Sequence, residues 1–245
     1  LVPPEQADDG SPAGNGKKNG PPGPLVAGQL YTILVRSVDL YNNITSDGSG
    51  RTVSLTTNDT YTNAALPGPA NLAAGVATFS NVAFAAAASN RSVTASVNSG
   101  PALTPQTETG ITVNPGTAKR LIVALPGQTL VPGKNSGSPG LTDAIYISTA
   151  GVNFGVNVYA MDDAFNLVNT AGNSFALTST DTYATNLGLA NNNFTLVNGQ
   201  VAATGLKLRT AALAKLKADD GGGGPVLSQG VSAWLPVNPG DPQNL

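Results

Sequence analysis

The sequence predicts an all-β chain built as two tandem β-sandwich domains, and three observations carry that prediction. Apolar and polar residues alternate over short runs, Gly, Asn and Pro separate the runs, and the whole pattern occurs twice. A chain of 245 residues holds one large β domain or two of about 120.

The alternation is clearest where Tyr31, Ile33 and Val35 interleave with Thr32, Leu34 and Arg36. Phe154, Val156 and Val158 interleave in the same way with Gly155, Asn157 and Tyr159. Successive strand side chains point to opposite faces, so each run places one set on a buried face. Val53/Leu55, Val82/Phe84 and Val93/Ala95 read alike. About seven short strands per repeat point to a sandwich. Helical periodicity is weak. Its best stretch, 210–218, has a counterpart at 85–90 without the pattern, so both read as turns leading into the strands that hold Leu216 and Val93.

The duplication appears when the sequence is slid against itself by about 123 residues. Ala27-Gly28 meets Ala150-Gly151. Asp39 and Asn43 meet Asp162 and Asn166. Val53-Ser54-Leu55-Thr56 meets Phe175-Ala176-Leu177-Thr178, and Asp59-Thr60-Tyr61 meets Asp181-Thr182-Tyr183. Leu72 and Gly75 meet Leu196 and Gly199, and Val113-Asn114-Pro115-Gly116 recurs as Val237-Asn238-Pro239-Gly240. The predicted domains are 1–116, with an incomplete first strand and a Pro/Gly-rich loop at 3–24, and 117–245, with a shorter loop at 125–142. The link at 113–117 is short and holds one Pro, which predicts a stiff connection.

The ends carry a second expectation. The second repeat opens on Ala118-Lys119-Arg120-Leu121-Ile122-Val123, and the first lacks that opening. Joined tail to head, Leu245 and Leu1-Val2 recreate Leu121-Ile122-Val123. Two explanations stay open: the chain is a window from a longer array, or the C-terminal strand of one subunit completes the first domain of the next, giving a filament by strand addition. Leu1, Val2, Asn244 and Leu245 are therefore the candidate assembly residues.

The Ala-Gly opening, the strand ending in Asp-x-x-x-Asn, the Leu-Thr strand, the Leu-x-x-Gly turn and the closing Val-Asn-Pro-Gly together resemble bacterial immunoglobulin-like (Big-type) repeats. The resemblance covers nearly all of both units. It implies two tandem immunoglobulin-like β-sandwiches of the sort found in adhesins, surface-layer proteins and extracellular fibres, where such repeats serve as stalks, spacers or adhesive modules.

Composition narrows the function. Charged residues make up 11%, well below the usual quarter, so Asn, Thr, Ser and Gly supply the polar surface. Net charge is −2 with 12 Lys plus Arg and no basic run, which argues against nucleic acid. Lys17-Lys18 reads as a solvated loop tip. No apolar run reaches about 18 residues, so no membrane insertion is expected. The absence of Cys excludes disulfides, thiolate metal sites and a Cys nucleophile. The absence of His removes the commonest general base. The sole glutamates, Glu5 and Glu108, share no motif. No enzyme is expected.

Cofactors are not expected, with calcium as the one candidate. Asp39 with Asn43, and Asp162, Asp163 with Asn166, offer hard oxygen ligands at strand ends. The competing reading is an Asx turn, in which the carboxylate accepts backbone N–H bonds. Tyr61, Tyr183 and Trp234 form a candidate sugar-stacking platform, against a plain packing role. Asn43, Asn58, Asn90 and Asn193 begin Asn-x-Ser/Thr sequons, at a frequency close to chance. The sequence thus predicts a structural repeat of an extracellular or cell-surface filament, layer or large surface protein, assembling end to end. Its partners are other copies or neighbouring repeats. The alternative is an adhesive or carbohydrate-binding module on a stalk, with glycans as ligands.

Overall fold

The computed structural model describes residues 1–11, 16–17, 22–46, 50–61 and 66–243. The chain is all-β among these residues, and it divides into two compact units, Leu1–Asn114 and Pro115–Leu245.

The first unit holds β1 (Leu25–Val26), β2 (Tyr31–Arg36), β3 (Thr52–Thr57), β4 (Ala70–Asn71), β5 (Val76–Val82), β6 (Ala88–Ser99) and β7 (Gln106–Asn114). They form a sheet in the order β1-β7-β6-β3-β4 and a β2-β5 pair. The inward residues follow the period of two: Val53 and Leu55 on β3, Ala77 and Phe79 on β5, Ile111 and Val113 on β7 are all buried. Both sheets contribute to the buried set, an arrangement consistent with a β-sandwich.

The second unit repeats the plan. It holds β8 (Arg120–Ala124), β9 (Ser148–Thr149), β10 (Phe154–Met161), β11 (Ser174–Ser179), β12 (Asn193–Thr195), β13 (Gln200–Leu206), β14 (Leu216–Gly222), β15 (Gly230–Val231) and β16 (Val237–Asn238). The sheets run β12-β11-β14-β15, β13-β10-β8 and β16-β9. One core joins Leu121 and Val123 of β8, Val156 and Val158 of β10, Phe175 and Leu177 of β11, and Leu216 and Ala218 of β14.

Several particulars occur in both units. The closing Val-Asn pair lies parallel to a two-residue strand each time: Val113 opposite Leu25, and Val237 opposite Ser148. Ser37 N–H donates to Gly75 O at 2.8 Å, as Ala160 N–H donates to Gly199 O at 2.8 Å. Both glycines have positive φ, +81° and +73°. A Cβ on Gly199 would lie 2.2 Å from Val168 O, and one on Gly75 would lie 2.4 Å from Thr45 O. The Leu-x-x-Gly signature is therefore a packing requirement.

Gly199→Ala is expected to destabilise the chain by more than the roughly 1–2 kcal/mol of the left-handed backbone alone, because backbone must also move. Gly172→Ala, where nothing lies within 4 Å, should stay within about 0.5 kcal/mol. Urea unfolding of the two variants checks the contrast.

Candidate functional site

The edge of β2 is where the two units part. In the second unit β8 runs antiparallel to β10, with Ala124 opposite Asn157, Val123 opposite Val158, Ile122 opposite Tyr159, Leu121 opposite Ala160 and Arg120 opposite Met161. Its other side bridges Ser228, where Leu121 N–H donates to Ser228 O at 3.0 Å and Ser228 N–H to Lys119 O at 2.9 Å. Leu121 and Val123 are 1% and 2% exposed. The strand fills a slot between two sheets.

In the first unit β2 pairs with β5, and among the described residues Leu1 pairs with the other side. Leu34 N–H donates to Leu1 O at 3.1 Å, and Leu1 N–H donates to Leu34 O at 2.6 Å. Leu34 stands where Asn157 stands, so Leu1 takes the place of Ala124. Val2, 2% exposed, takes that of Leu125. The next turn confirms the register. Glu5 N–H donates to Val2 O at 2.9 Å while Val2 N–H donates to Glu5 Oε2 at 2.8 Å. Gln128 and Leu125 make the same reciprocal pair at 3.0 and 2.9 Å. Leu1-Val2 thus sit beyond the Leu121-Ile122-Val123 place that the sequence reading gave them. Asn244 and Leu245 lie outside the described residues.

Beyond Leu1, no strand among the described residues pairs with the side of β2 that faces away from β5, at Val35 and Arg36, or with Ser37 and Val38 that follow it. An open groove lies there, lined by Val35, Ser37, Val53, Leu72, Ala95 and Leu103. Exposure differs at the matching positions of the two units. Leu103 is 39% exposed and Val38 43%, against 3% for Leu227 and 0% for Met161 in the second unit.

The Asp-x-x-x-Asn segments form matching turns. Asp162 Oδ1 accepts from Asn166 N–H at 2.8 Å, and its Oδ2 accepts from Gly116 N–H at 2.7 Å. Asp39 Oδ1 accepts from Tyr41 N–H and Asn43 N–H, both at 2.9 Å, and Oδ2 from Asn43 Nδ2 at 3.1 Å. The Asn43 side chain, then its backbone, holds the Asp39 carboxyl below its ordinary value. These are Asx turns, with carboxylate oxygens directed at N–H donors. Asp163 turns outward and pairs with Arg120 Nη2 at 2.6 Å. No cluster of three or more acidic side chains that could hold a metal ion occurs among the described residues.

Two carboxylates that the sequence left as turn residues tie distant loops together. Asp59 is fully buried, and its Oδ2 accepts from Ala85 and Ala86 N–H at 2.9 and 2.8 Å. Asp181 Oδ2 accepts from Arg209 and Thr210 N–H at 2.7 and 2.9 Å, and Oδ1 from Thr210 Oγ1 at 2.8 Å. Burial works against ionisation of Asp181, but the Thr210 and Arg209 donors outweigh it and hold the carboxyl below its usual value. A shallow cavity beside it is lined by Thr180, Tyr183 and Leu213.

Lys17 is no solvated tip. Its ammonium pairs with Glu5 at 2.8 Å and with Glu108, so the two glutamates that share no motif meet on one cation. No local pattern reveals a contact between residues 91 apart. Lys18 lies outside the described residues. Tyr183 and Trp234 are 74% and 51% exposed, and Lys215 Nζ lies 4.6 Å over the Trp234 ring. Tyr61 belongs to the other unit and is half-buried.

No family model and no curated protein matches the chain. Among solved structures, the chain is similar to β-glucuronidase 3 of Bacteroides uniformis at TM-score 0.31 and 13% identity, covering 88% of this chain and 23% of that one. It is similar to the Yersinia pseudotuberculosis adhesin InvE at TM-score 0.33 and 15% identity, covering 88% and 56%. It is also similar to the BSP domain of a biofilm-associated protein at TM-score 0.28 and 11% identity, covering 99% and 30%. The chain spans about a quarter of the glucuronidase and about half of the adhesin.

Asp181→Ala strands the Arg209, Thr210 and Tyr183 donors and is expected to cost about 3 kcal/mol in urea unfolding. Because the folded carboxyl titrates below the unfolded value of about 3.9, its contribution is full above about pH 4. It is lost as pH falls through the folded value. Asp181→Asn should therefore flatten the acid limb of the stability–pH curve relative to the parent chain.

Proposed function

We propose that the chain is a structural module of an extracellular filament, surface layer or large surface protein, built from immunoglobulin-like units that join end to end. The observation that supports this is the contrast between the units. Both follow one plan, yet the side of the sheet that β8 borders in the second has no partner strand along Val35–Val38 in the first, among the described residues. An exposed edge beside a groove lined by Val35, Leu72 and Leu103 together with Arg36, Thr104 and Gln106 is a template for another strand. The carboxylates point the same way. Those of Asp39, Asp59, Asp162 and Asp181 are spent on backbone N–H groups that hold turns, which is structural rather than chemical work.

Sedimentation velocity of the purified chain over a wide concentration range, with electron microscopy of the most concentrated samples, tests the proposal. Linear oligomers or fibres that lengthen with concentration are expected. A chain that stays monomeric throughout would sink it.

A further inference from the structure

The open slot of the first unit has a counterpart whose occupant is known residue by residue, so its ligand can be read by comparison. The recurring Val-Asn-Pro-Gly fixes the register. Gly116 corresponds to Gly240, Ala118 to Pro242, Lys119 to Gln243, Arg120 to Asn244 and Leu121 to Leu245. Resting on the end-to-end reading above, we infer that the occupant is segment 240–245 of a second copy, entering as 116–121 enters the second unit.

Each position of that segment meets a matching group. Gly116 N–H donates to Asp162 Oδ2 at 2.7 Å, and Asp162 is 2% exposed. The matching Asp39 is exposed, its carboxylate already oriented by Asn43 and Tyr41. Gly240 N–H of the incoming chain reaches it. Ala118 is 5% exposed, and no hydrogen bond of its N–H is used in the second unit's entry, so Pro242 sacrifices none there. Lys119 N–H donates to Met161 O at 2.8 Å and its carbonyl accepts from Ser228. Gln243 makes the same pair of bonds to Val38 O and Thr104 N–H.

Arg120 is different, and the difference is consistent. Its guanidinium pairs with Asp163 and lies 4.7 Å from the centre of the Phe165 ring. The first unit has Leu40 and Asn42 at those positions, with no anion, and the segment brings neutral Asn244. Leu245 then enters the groove over Val53, Leu72 and Ala95, as Leu121 packs with Phe175, Leu196 and Ala218. Head and tail lie along one edge: Leu245 at the place of 121, Leu1 at that of 124.

One residue resists the match. A Cβ on Gly230 would lie 2.7 Å from Leu121 O, and the corresponding residue in the first unit is Gln106. The incoming strand therefore sits farther from β7 than β8 sits from β15, and Gln106 limits its affinity.

The test uses the full chain and a labelled peptide of residues 238–245. Fluorescence anisotropy should show saturable 1:1 binding. Hydrogen exchange should slow at residues 35–39 and 103–106 both on peptide binding and on self-association. A Leu245→Asp substitution, with circular dichroism checked against the parent chain, should weaken peptide binding and self-association at least tenfold. Gln106→Gly should strengthen both. The inference is overturned if the peptide does not bind, if Leu245→Asp changes nothing, or if protection appears elsewhere. Fibres that survive Leu245→Asp leave end-to-end assembly standing and remove this contact. Peptide binding in the slot by a chain that never self-associates keeps the contact and removes the assembly.

Discussion

Each unit depends on closing the gap between its two sheets at one edge. Where β8 is present, one strand meets two needs at once. Its backbone pairs with β10, and its alternate side chains, Leu121 and Val123, enter the core. The period of two permits both, because hydrogen bonds lie in the sheet while side chains stand perpendicular to it. In the first unit, where Leu1 and Val2 lie along the edge, Val53 and Leu72 beneath it stay buried but the outer positions are exposed. Leu227 gives way to Leu103, Met161 to Val38 and Asp162 to Asp39, buried positions becoming exposed ones. Fully burying a Leu side chain is worth about 1.5–3 kcal/mol, which is the driving force available to the strand addition proposed above.

The turns around that edge are held by carboxylates whose lone pairs face N–H groups. Asp59 and Asp181 bond to backbone 26 to 29 residues away in sequence. An ionised acceptor makes stronger hydrogen bonds than a neutral one, and a buried N–H without an acceptor is expensive. One side chain thus replaces the ladder bonds that a sandwich corner lacks. The same geometry makes these carboxylates poor cation ligands, since the donors they face would repel a metal ion.

Much of this was legible in the sequence, for identifiable reasons. Alternation marked β2, β3, β6 and β10, because a half-buried strand must show it, while the Val82/Phe84 pair caught only the last residue of β5. Duplication marked the turns, because Gly75 and Gly199 are fixed by space rather than by function. Asp39 and Asp162 were visible as turn residues. What was hidden was long-range. The Glu5–Lys17–Glu108 group joins residues far apart in sequence with no shared spacing. Glu5 replaces Gln128, an exchange that hides the match although the hydrogen bond survives. The position of Leu1 was misjudged by about two residues. Two apolar residues at a terminus fit several registers, and only the pairing with Leu34 selects one.

The contrast between Gly230 and Gln106 follows from how each slot is filled. A strand tethered to its own domain is present at high effective concentration, so its slot can be narrow and permanently occupied. A strand from another molecule must first surrender translational and rotational freedom, about 4–15 kcal/mol. Its slot has to exist empty beforehand, inside a unit that stays folded. The first unit carries bonds of its own beside β2 that suit the proposed role. Lys17 ties the 3–24 loop to Glu108 on β7, Arg36 pairs with Asp9 at 2.5 Å, and Leu1 pins the far end of β2. In the proposed contact, Gln106 at the position of Gly230 sets the approach distance of the incoming strand and keeps it weaker than the intramolecular one.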